Sequence, residues 1–383
     1  GDVQSPAKVS WQRFGKAGAA VLCGMLAAAS GELVQSEMGS GQTLAYGMPL
    51  WWVQTFLPLG FAWLGVKLAW RSLEDFGAMK WACVLLPLSG GALTLQMDLQ
   101  SWPLPLGVLV LVVVLFLGAP IFAVLGGLGL LLLGHEGLPL ASLALSHYQI
   151  TVNPSLPALP LFTLAGLVLA KTQASQRLSQ VFVAILGGGT LGTVMAVALL
   201  CSFFTALTGG SGVTILALGG LLLPLLQGVG YPDRKGISLV TSASALGVLL
   251  APSVPLIMYA IIARVPINTM FLAGVIPAVV MVACLLIFGG YLRQDAIRSE
   301  PSVKPVFNPH ALRDVAWHAK WELLAPVVAI GSLGSGFATP TESAALTAIF
   351  AVLTQALAHR ELSPRQLFDT LSQCAQIIGG VML

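Results

Sequence analysis

Long apolar runs separated by short polar breaks set the character of the chain. They occupy residues 17–35, 48–70, 81–97, 103–118, 119–134, 156–170, 236–262, 267–292, 322–337, 341–358 and 372–383. Continuous runs of about 15 to 20 residues predict membrane helices, because a helix meets its own backbone polar groups inside a bilayer. Their continuity argues against an outer-membrane barrel, whose strands alternate apolar and polar positions. One further stretch, Leu178 to Pro232, contains no Asp, Glu, Lys or Arg. At its centre lies a small-residue tip, Thr208-Gly209-Gly210-Ser211-Gly212-Val213-Thr214, between apolar arms at 194–207 and 215–226. The tip predicts a re-entrant helical hairpin over 190–230, the way secondary transporters build ion and solute sites near the midplane. An ordinary tight turn between two spanning helices is the other reading of the same pattern.

Residues 236–262 form a second interrupted element. Pro252 and Pro255 remove backbone donors, so carbonyls one turn earlier lose their partners. Gly247 permits a close backbone approach, and Thr241, Ser242 and Ser244 add hydroxyls. Neutral oxygens without a full carboxylate suit an alkali cation. The bland alternative is a proline kink whose carbonyls are met by Ser253 or water.

Composition places the chain outside the soluble globular range: 56% hydrophobic and 9% charged residues, with a mean hydropathy of +0.89. The expected fold class is all-α, a polytopic helical membrane protein. A net charge of +3 gives no reason to expect nucleic acid. The five cysteines (Cys23, Cys83, Cys201, Cys284, Cys374) lie in apolar segments without paired spacing and read as buried thiols. His135, His147, His310, His318 and His359 read as loop residues without metal spacing. No nucleophile–base set is visible, so no enzyme is expected and no cofactor beyond a coupling ion.

Charge placement orients the segments. Lys8, Arg13 and Lys16 precede the first, whereas Glu32 and Glu37 follow it; Lys67, Arg71 and Lys80 mark a return to the cytoplasm. Lys171 and Arg177, then Arg234 and Lys235, place both ends of the charge-free hairpin on the cytoplasmic side, and Arg293, Arg298, Lys304, Arg313 and Lys320 do the same for the loop 293–320. This parity requires segment 81–97 to span. Trp51, Trp52, Trp63 and Trp70 read as interface anchors, Arg264 as a snorkelling arginine, and Glu342 as a first-turn acid capped by Thr339 or Thr341.

Two regions match in pattern. Gly118-Ala119-Pro120 followed by His135-Glu136-Gly137-Leu138-Pro139 parallels Ala338-Thr339-Pro340-Thr341-Glu342 followed by His359-Arg360-Glu361-Leu362-Ser363-Pro364. The charge argument gives the two copies opposite directions, an inverted-topology repeat. A second hairpin would then fall beyond Leu383, and the chain reads as a piece of a longer protein, truncated at both ends.

These motifs resemble the large membrane subunit of TRAP (tripartite ATP-independent periplasmic) transporters over about 103 to 383. The similarity lies in Leu156-Pro157-Ala158-Leu159-Pro160-Leu161-Phe162-Thr163-Leu164-Ala165-Gly166, in Phe203 to Gly212, in Ala251-Pro252-Ser253-Val254-Pro255, in Phe271-Leu272-Ala273-Gly274 and in Thr339-Pro340-Thr341-Glu342. Residues 10–72, with Pro49-Leu50-Trp51-Trp52, resemble the second half of the small membrane subunit. The implied organisation is 1–75 from the small subunit, 76–102 a linking helix, 103–320 the first repeat of the large subunit, and 321–383 the start of the second. The resemblance implies a permease in the bacterial inner membrane that imports an organic anion with Na⁺, the anion being handed over by a periplasmic solute-binding protein. It also implies an elevator-like movement of the hairpin domain. Carried over residue by residue, the sodium set is Gly209, Ser211, Gly247, Leu250 and Pro252, with Thr208 and Ser253 towards the substrate. The chain departs from the family pattern at Gly209, where many members have serine, a few residues beyond Ser211, where many have an acid, and at Ala251, where many have proline. A carboxylate transporter that needs no binding protein, and a non-transporting membrane scaffold, are the alternative functions.

Overall fold

The computed structural model describes residues 6–43, 47–73, 83–96, 100–187, 189–291 and 309–382. Parts of two expected segments, 76–82 and 97–99 of the linking region and 293–308 of the basic loop, lie outside the described residues. Among those described the secondary structure is helical, apart from one isolated bridge between Thr43 and Pro49. Among the described residues six helices are long and apolar enough to cross a membrane, or seven if one bent pair counts as a span. The all-α, polytopic expectation holds. Two compact units, Gly1–Val152 and Asn153–Leu383, divide the chain. This boundary falls inside the region 103–320 that the motifs group together.

The first unit contains α1 (Pro6–Met38), α2 (Leu50–Gln54), α3 (Phe56–Ser72), α4 (Leu85–Gln96), α5 (Leu104–Phe116), α6 (Ile121–His135) and α7 (Ala141–Thr151). The long α1 is its axis, because small residues let partners approach its backbone. A Cβ on Gly24 would stand 1.9 Å from the Pro87 carbonyl oxygen, and one on Gly90 would stand 2.0 Å from that of Val21. Ala19, Ala20 and Cys23 are fully buried in this packing. Of the segment expected to span at 81–97, the described part contains α4, a helix of 12 residues. One expectation changes here. His147 lies in α7, a helix hidden by its polar composition and seated where Leu143 meets Gly129.

The second unit begins with α8 (Ala158–Lys171) and α9 (Ala174–Leu186), bent by 79° at their junction. The hairpin follows as α10 (Thr190–Thr208) and α11 (Ser211–Gly228), then α12 (Asp233–Leu246), α13 (Val254–Ala263) and α14 (Ile267–Phe288). The unit is completed by α15 (Pro309–His318), α16 (Lys320–Gly334), α17 (Pro340–Leu353) and α18 (Pro364–Met382). Helix α15 occupies what the charges suggest is loop and carries His310 and His318. The two hairpin arms differ: 78% of the apolar window of α10 is buried, against 22% for α11. So α10 is the core helix, with Leu200, Phe204 and Leu207 packed among Leu218, Leu222, Leu226 and Leu239. Four cysteines are buried as expected, whereas Cys284 on α14 is exposed, on a helix mostly open to its surroundings.

Both copies of the repeated motif are helix–turn–helix units locally. Gly118 (φ 92°) and Gly336 (φ 70°) provide the left-handed turns, and Gly137 and Arg360 supply a second left-handed residue at the far end. Glu342 forms the anticipated capping box: the Thr339 N–H donates to Glu342 Oε2 at 2.8 Å, and the Glu342 N–H donates to Thr339 Oγ1.

Helix α8 passes directly beneath the hairpin tip. A Cβ on Gly166 would lie 2.6 Å from the Leu207 carbonyl carbon and 2.7 Å from the Thr208 nitrogen. Gly219 on α11 has open space around it. Gly166→Ala is therefore expected to force two backbones apart at a cost of about 1–3 kcal/mol, whereas Gly219→Ala should leave stability unchanged or raise it by up to about 1 kcal/mol. Thermal unfolding of the two variants in detergent checks this, and equal midpoints would contradict the packing.

Candidate functional site

Helix α10 stops because Gly209 takes a left-handed conformation (φ 73°), its N–H returning to the Thr205 carbonyl at 2.8 Å. Gly210 is extended and α11 begins at Ser211. A connection this short folds the arms back on each other, and their open ends meet where Thr190 Oγ1 donates to the Val229 carbonyl at 3.1 Å. Both ends of the hairpin thus return to one place. Inside the tip, Thr205, Thr208 and Thr214 are fully buried. Thr205 Oγ1 donates to Thr214 Oγ1 at 2.8 Å, and Thr208 Oγ1 lies 2.9 Å from the same oxygen. Thr214 passes its own proton to the Gly210 carbonyl at 3.4 Å, so its two lone pairs are open to both neighbours.

The broken helix lies against this tip. Helix α12 gives way to a 3-10 turn at Gly247–Leu249, and Leu250 is extended. The Ala251–Pro252 peptide is cis. Ser253 then caps α13: its hydroxyl donates to the Val248 carbonyl and accepts from the Leu256 N–H at 3.4 Å. The close approach that Gly247 permits is to protein, since a Cβ there would stand 2.2 Å from the Ser202 carbonyl oxygen and 2.6 Å from Thr205 Cβ. On the other side, a Cβ on Gly209 would stand 2.3 Å from a Val254 methyl. The end of α10 is thereby held between Gly247 and the start of α13.

Of the residues singled out by sequence, Gly209, Gly247, Leu250, Pro252, Thr208 and Ser253 converge on this junction. Gly247 O accepts from the Leu250 N–H at 3.1 Å and Leu250 O from the Ser253 N–H at 3.0 Å, each carbonyl keeping a second lone pair. Ser211 is half-buried at the first position of α11, and its hydroxyl has no hydrogen-bond partner among the described residues. Thr208 and Ser253 are fully buried with their hydroxyls engaged by protein, so neither oxygen faces a solute in this arrangement. Thr241 and Ser244 bond back to Ile237 and Val240 within α12. The donor set is entirely neutral oxygen, which fits an alkali cation by chemistry. Among the described residues no group of three or more His, Cys, Asp or Glu is placed to hold a metal ion. Arg264, left-handed at the end of α13, lines a separate open cleft of about 440 Å³ with Asn153, Ser155 and Asn268.

A polar cluster elsewhere in this unit was invisible to pattern reading. Arg177 on α9 donates to Glu322 Oε1 through Nε at 2.8 Å and to Glu361 Oε1 through Nη1 at 2.6 Å. Gln355 Nε2 donates to Glu322 Oε1 at 3.1 Å, and His359 Nε2 lies 3.3 Å from it. Glu322 is fully buried, at the start of a segment that reads as uniformly apolar. Arg177 and Glu361 look like ordinary cytoplasmic loop charges in sequence, and their partners are too distant along the chain for any local signal. Burial alone would raise the Glu361 carboxyl, but hydrogen bonds from Arg177 and from the Gln173 N–H, with the charges of Arg177 and His359, hold it below the usual carboxylate range.

Comparison with known proteins adds an independent line. Residues 108–383 match the family described as "Tripartite ATP-independent periplasmic transporter, DctM component". The chain is 28% identical over 354 residues to the isethionate TRAP transporter permease protein DctMQ of Oleidesulfovibrio alaskensis, covering 90% of this chain and 55% of that protein. It is 28% identical over 260 residues to the C4-dicarboxylate TRAP transporter large permease protein DctM of Rhodobacter capsulatus, covering 63% of this chain and 58% of that protein. Similarity to the ectoine/5-hydroxyectoine TRAP transporter large permease protein UehC of Ruegeria pomeroyi is 28% over 229 residues, or 60% and 53% of the two chains. The chain spans about half the length of the curated relatives it matches. These relatives are named as transporter permeases, not as enzymes.

Two outcomes are expected at the charged cluster. Arg177→Met strands the buried Glu322 carboxylate and should cost about 3–5 kcal/mol, with part of the loss recovered when Glu322→Gln is added; thermal midpoints that are no better in the double variant would contradict the pairing. The depressed Glu361 carboxyl contributes stability that is complete above the unfolded-state value of about 4 and lost as pH falls through its lower folded value. Stability measured from neutral pH down to about pH 3 should therefore fall on the acid side, and Glu361→Gln should flatten that fall.

Proposed function

Since the chain belongs to the tripartite ATP-independent periplasmic transporter family, as a DctM component, we propose that it is the membrane permease part of a Na⁺-coupled secondary transporter importing an organic anion. The observation that carries this reading is the junction of two helix breaks, the hairpin tip at Gly209 and the interruption at Gly247–Ser253, brought together around the end of α10. Gly209, Ser211, Gly247, Leu250 and Pro252 would hold the ion through neutral oxygens. Bound there, sodium supplies the positive charge that the charge-free hairpin lacks. Gly209 provides the left-handed turn that ends α10 at the tip, Gly247 keeps the broken helix against Ser202 and Thr205, and Ser253 fixes the start of α13. Ion and solute are then coupled because both require the same closure of hairpin against broken helix.

Further parts of the reading rest on the relatives. The substrates for which they are named (isethionate, C4-dicarboxylates, and ectoine with 5-hydroxyectoine) support a small organic acid as cargo. A periplasmic solute-binding protein would deliver it, in keeping with the tripartite family description. Similarity along 90% of this chain to a protein named DctMQ supports a fused small-plus-large permease, with residues 1–75 corresponding to the small subunit, and the bacterial inner membrane as its location. The hairpin domain would carry the solute across by an elevator-like movement.

The full-length protein, reconstituted in liposomes with its purified solute-binding protein and a panel of labelled organic acids, should accumulate one of them only with an inward Na⁺ gradient. Uptake that persists when choline replaces Na⁺ in the presence of a proton gradient would overturn sodium coupling. Uptake without the binding protein would replace this reading with a self-sufficient carboxylate transporter.

A further inference from the structure

Buried hydroxyls in a helix normally donate to a carbonyl one turn back, as several do in the second unit. Ser202 bonds Ala198, Ser244 bonds Val240, Thr347 bonds Ser343 and Thr370 bonds Gln366. Thr163 on α8 does not. Its side chain is fully buried, and Oγ1 is the one buried hydroxyl among the described residues without a hydrogen-bond partner. A valine would fill the same space without the desolvation penalty of an unpartnered hydroxyl, so the oxygen points to a partner that is not part of the protein.

Its position says where that partner sits. Thr163 Oγ1 lies 3.8 Å from the point where a Cβ on Gly209 would stand, and Val254 closes the same point from the other side. One turn further along α8, Gly166 brings the backbone against Leu207 and Thr208. The neighbouring Thr205, Thr208 and Thr214 hydroxyls bond one another, which leaves Thr163, with the half-buried Ser211, as an uncommitted hydroxyl at the tip. The hairpin holds no cationic side chain to neutralise an anion and no carboxylate to hold a divalent ion. A hydroxyl beside the neutral oxygens of a helix break suits a dehydrated monovalent cation.

We propose that Thr163 Oγ1 is a ligand of the alkali cation at the hairpin tip, supplied from α8 beside Gly209. This rests on the sodium reading above and extends it to a helix outside the charge-free hairpin. Helix α8 then contributes directly to the ion's coordination.

The test is a Na⁺ titration of the purified full-length protein in detergent, read as ²²Na⁺ binding and as the shift of the thermal midpoint, with choline keeping ionic strength constant. Thr163→Val should move the Na⁺ half-point up about five- to hundredfold, the loss of one ligand oxygen. Thr163→Ser, which keeps the oxygen, should stay within about threefold of the parent. If the valine variant does not yield folded protein, Thr163→Ala against Thr163→Ser carries the same comparison. A parent that responds to Na⁺ alongside an oxygen-free variant with an unchanged half-point would overturn this inference alone. A parent with no Na⁺ response in either readout would overturn the sodium reading, and the inference with it.

Discussion

A backbone that leaves the helix inside an apolar environment must have its amides and carbonyls met by protein, because no water is there to meet them, and the unit Asn153–Leu383 answers that demand twice in one place. The hairpin ends α10 at Gly209, and the broken helix ends α12 at Gly247. Neither break could be tolerated alone. Each is closed by a local turn, and each is then covered by the other through contacts that only a missing side chain allows. Gly209 lies against Val254, Gly247 against Ser202 and Thr205, and Gly166 of α8 lies under the tip. What remains after this closure is a set of carbonyl lone pairs and two uncommitted hydroxyls, Ser211 and Thr163.

The same unit handles formal charge in a separate place and by a different means. Arg177, Glu322, Gln355, His359 and Glu361 form one network joining α9, α16 and the turn after α17. There a guanidinium fork shared by two carboxylates offsets the cost of burying Glu322. The hairpin stretch, Leu178–Pro232, avoids that cost altogether by carrying no Asp, Glu, Lys or Arg.

The membrane character, the helical fold, the hairpin with its tip and the interruption before Pro252 were all legible in the sequence. Each is written in local signals: continuous apolar runs, glycine and hydroxyl clusters, and prolines that remove donors. The capping box at Thr339–Glu342 was legible for the same reason. Local signals misled where composition and structure diverge. Polar residues concealed the helix α7.

What the tertiary structure alone decided is which oxygens are free. In sequence, Thr163, Thr205, Thr208, Thr214, Ser211 and Ser253 are equivalent hydroxyls in apolar surroundings. Packing commits Ser253 to a helix cap and joins three threonines to one another, and it leaves Thr163 unpartnered beside Gly209. It likewise turned three unremarkable loop and helix-end charges into a partly buried network whose members lie 145 and 184 residues apart along the chain. Sequence determines where the backbone must break, because breaking depends on the residue itself. Whether an oxygen beside the break is satisfied depends on which distant segment arrives there, and only the folded chain fixes that.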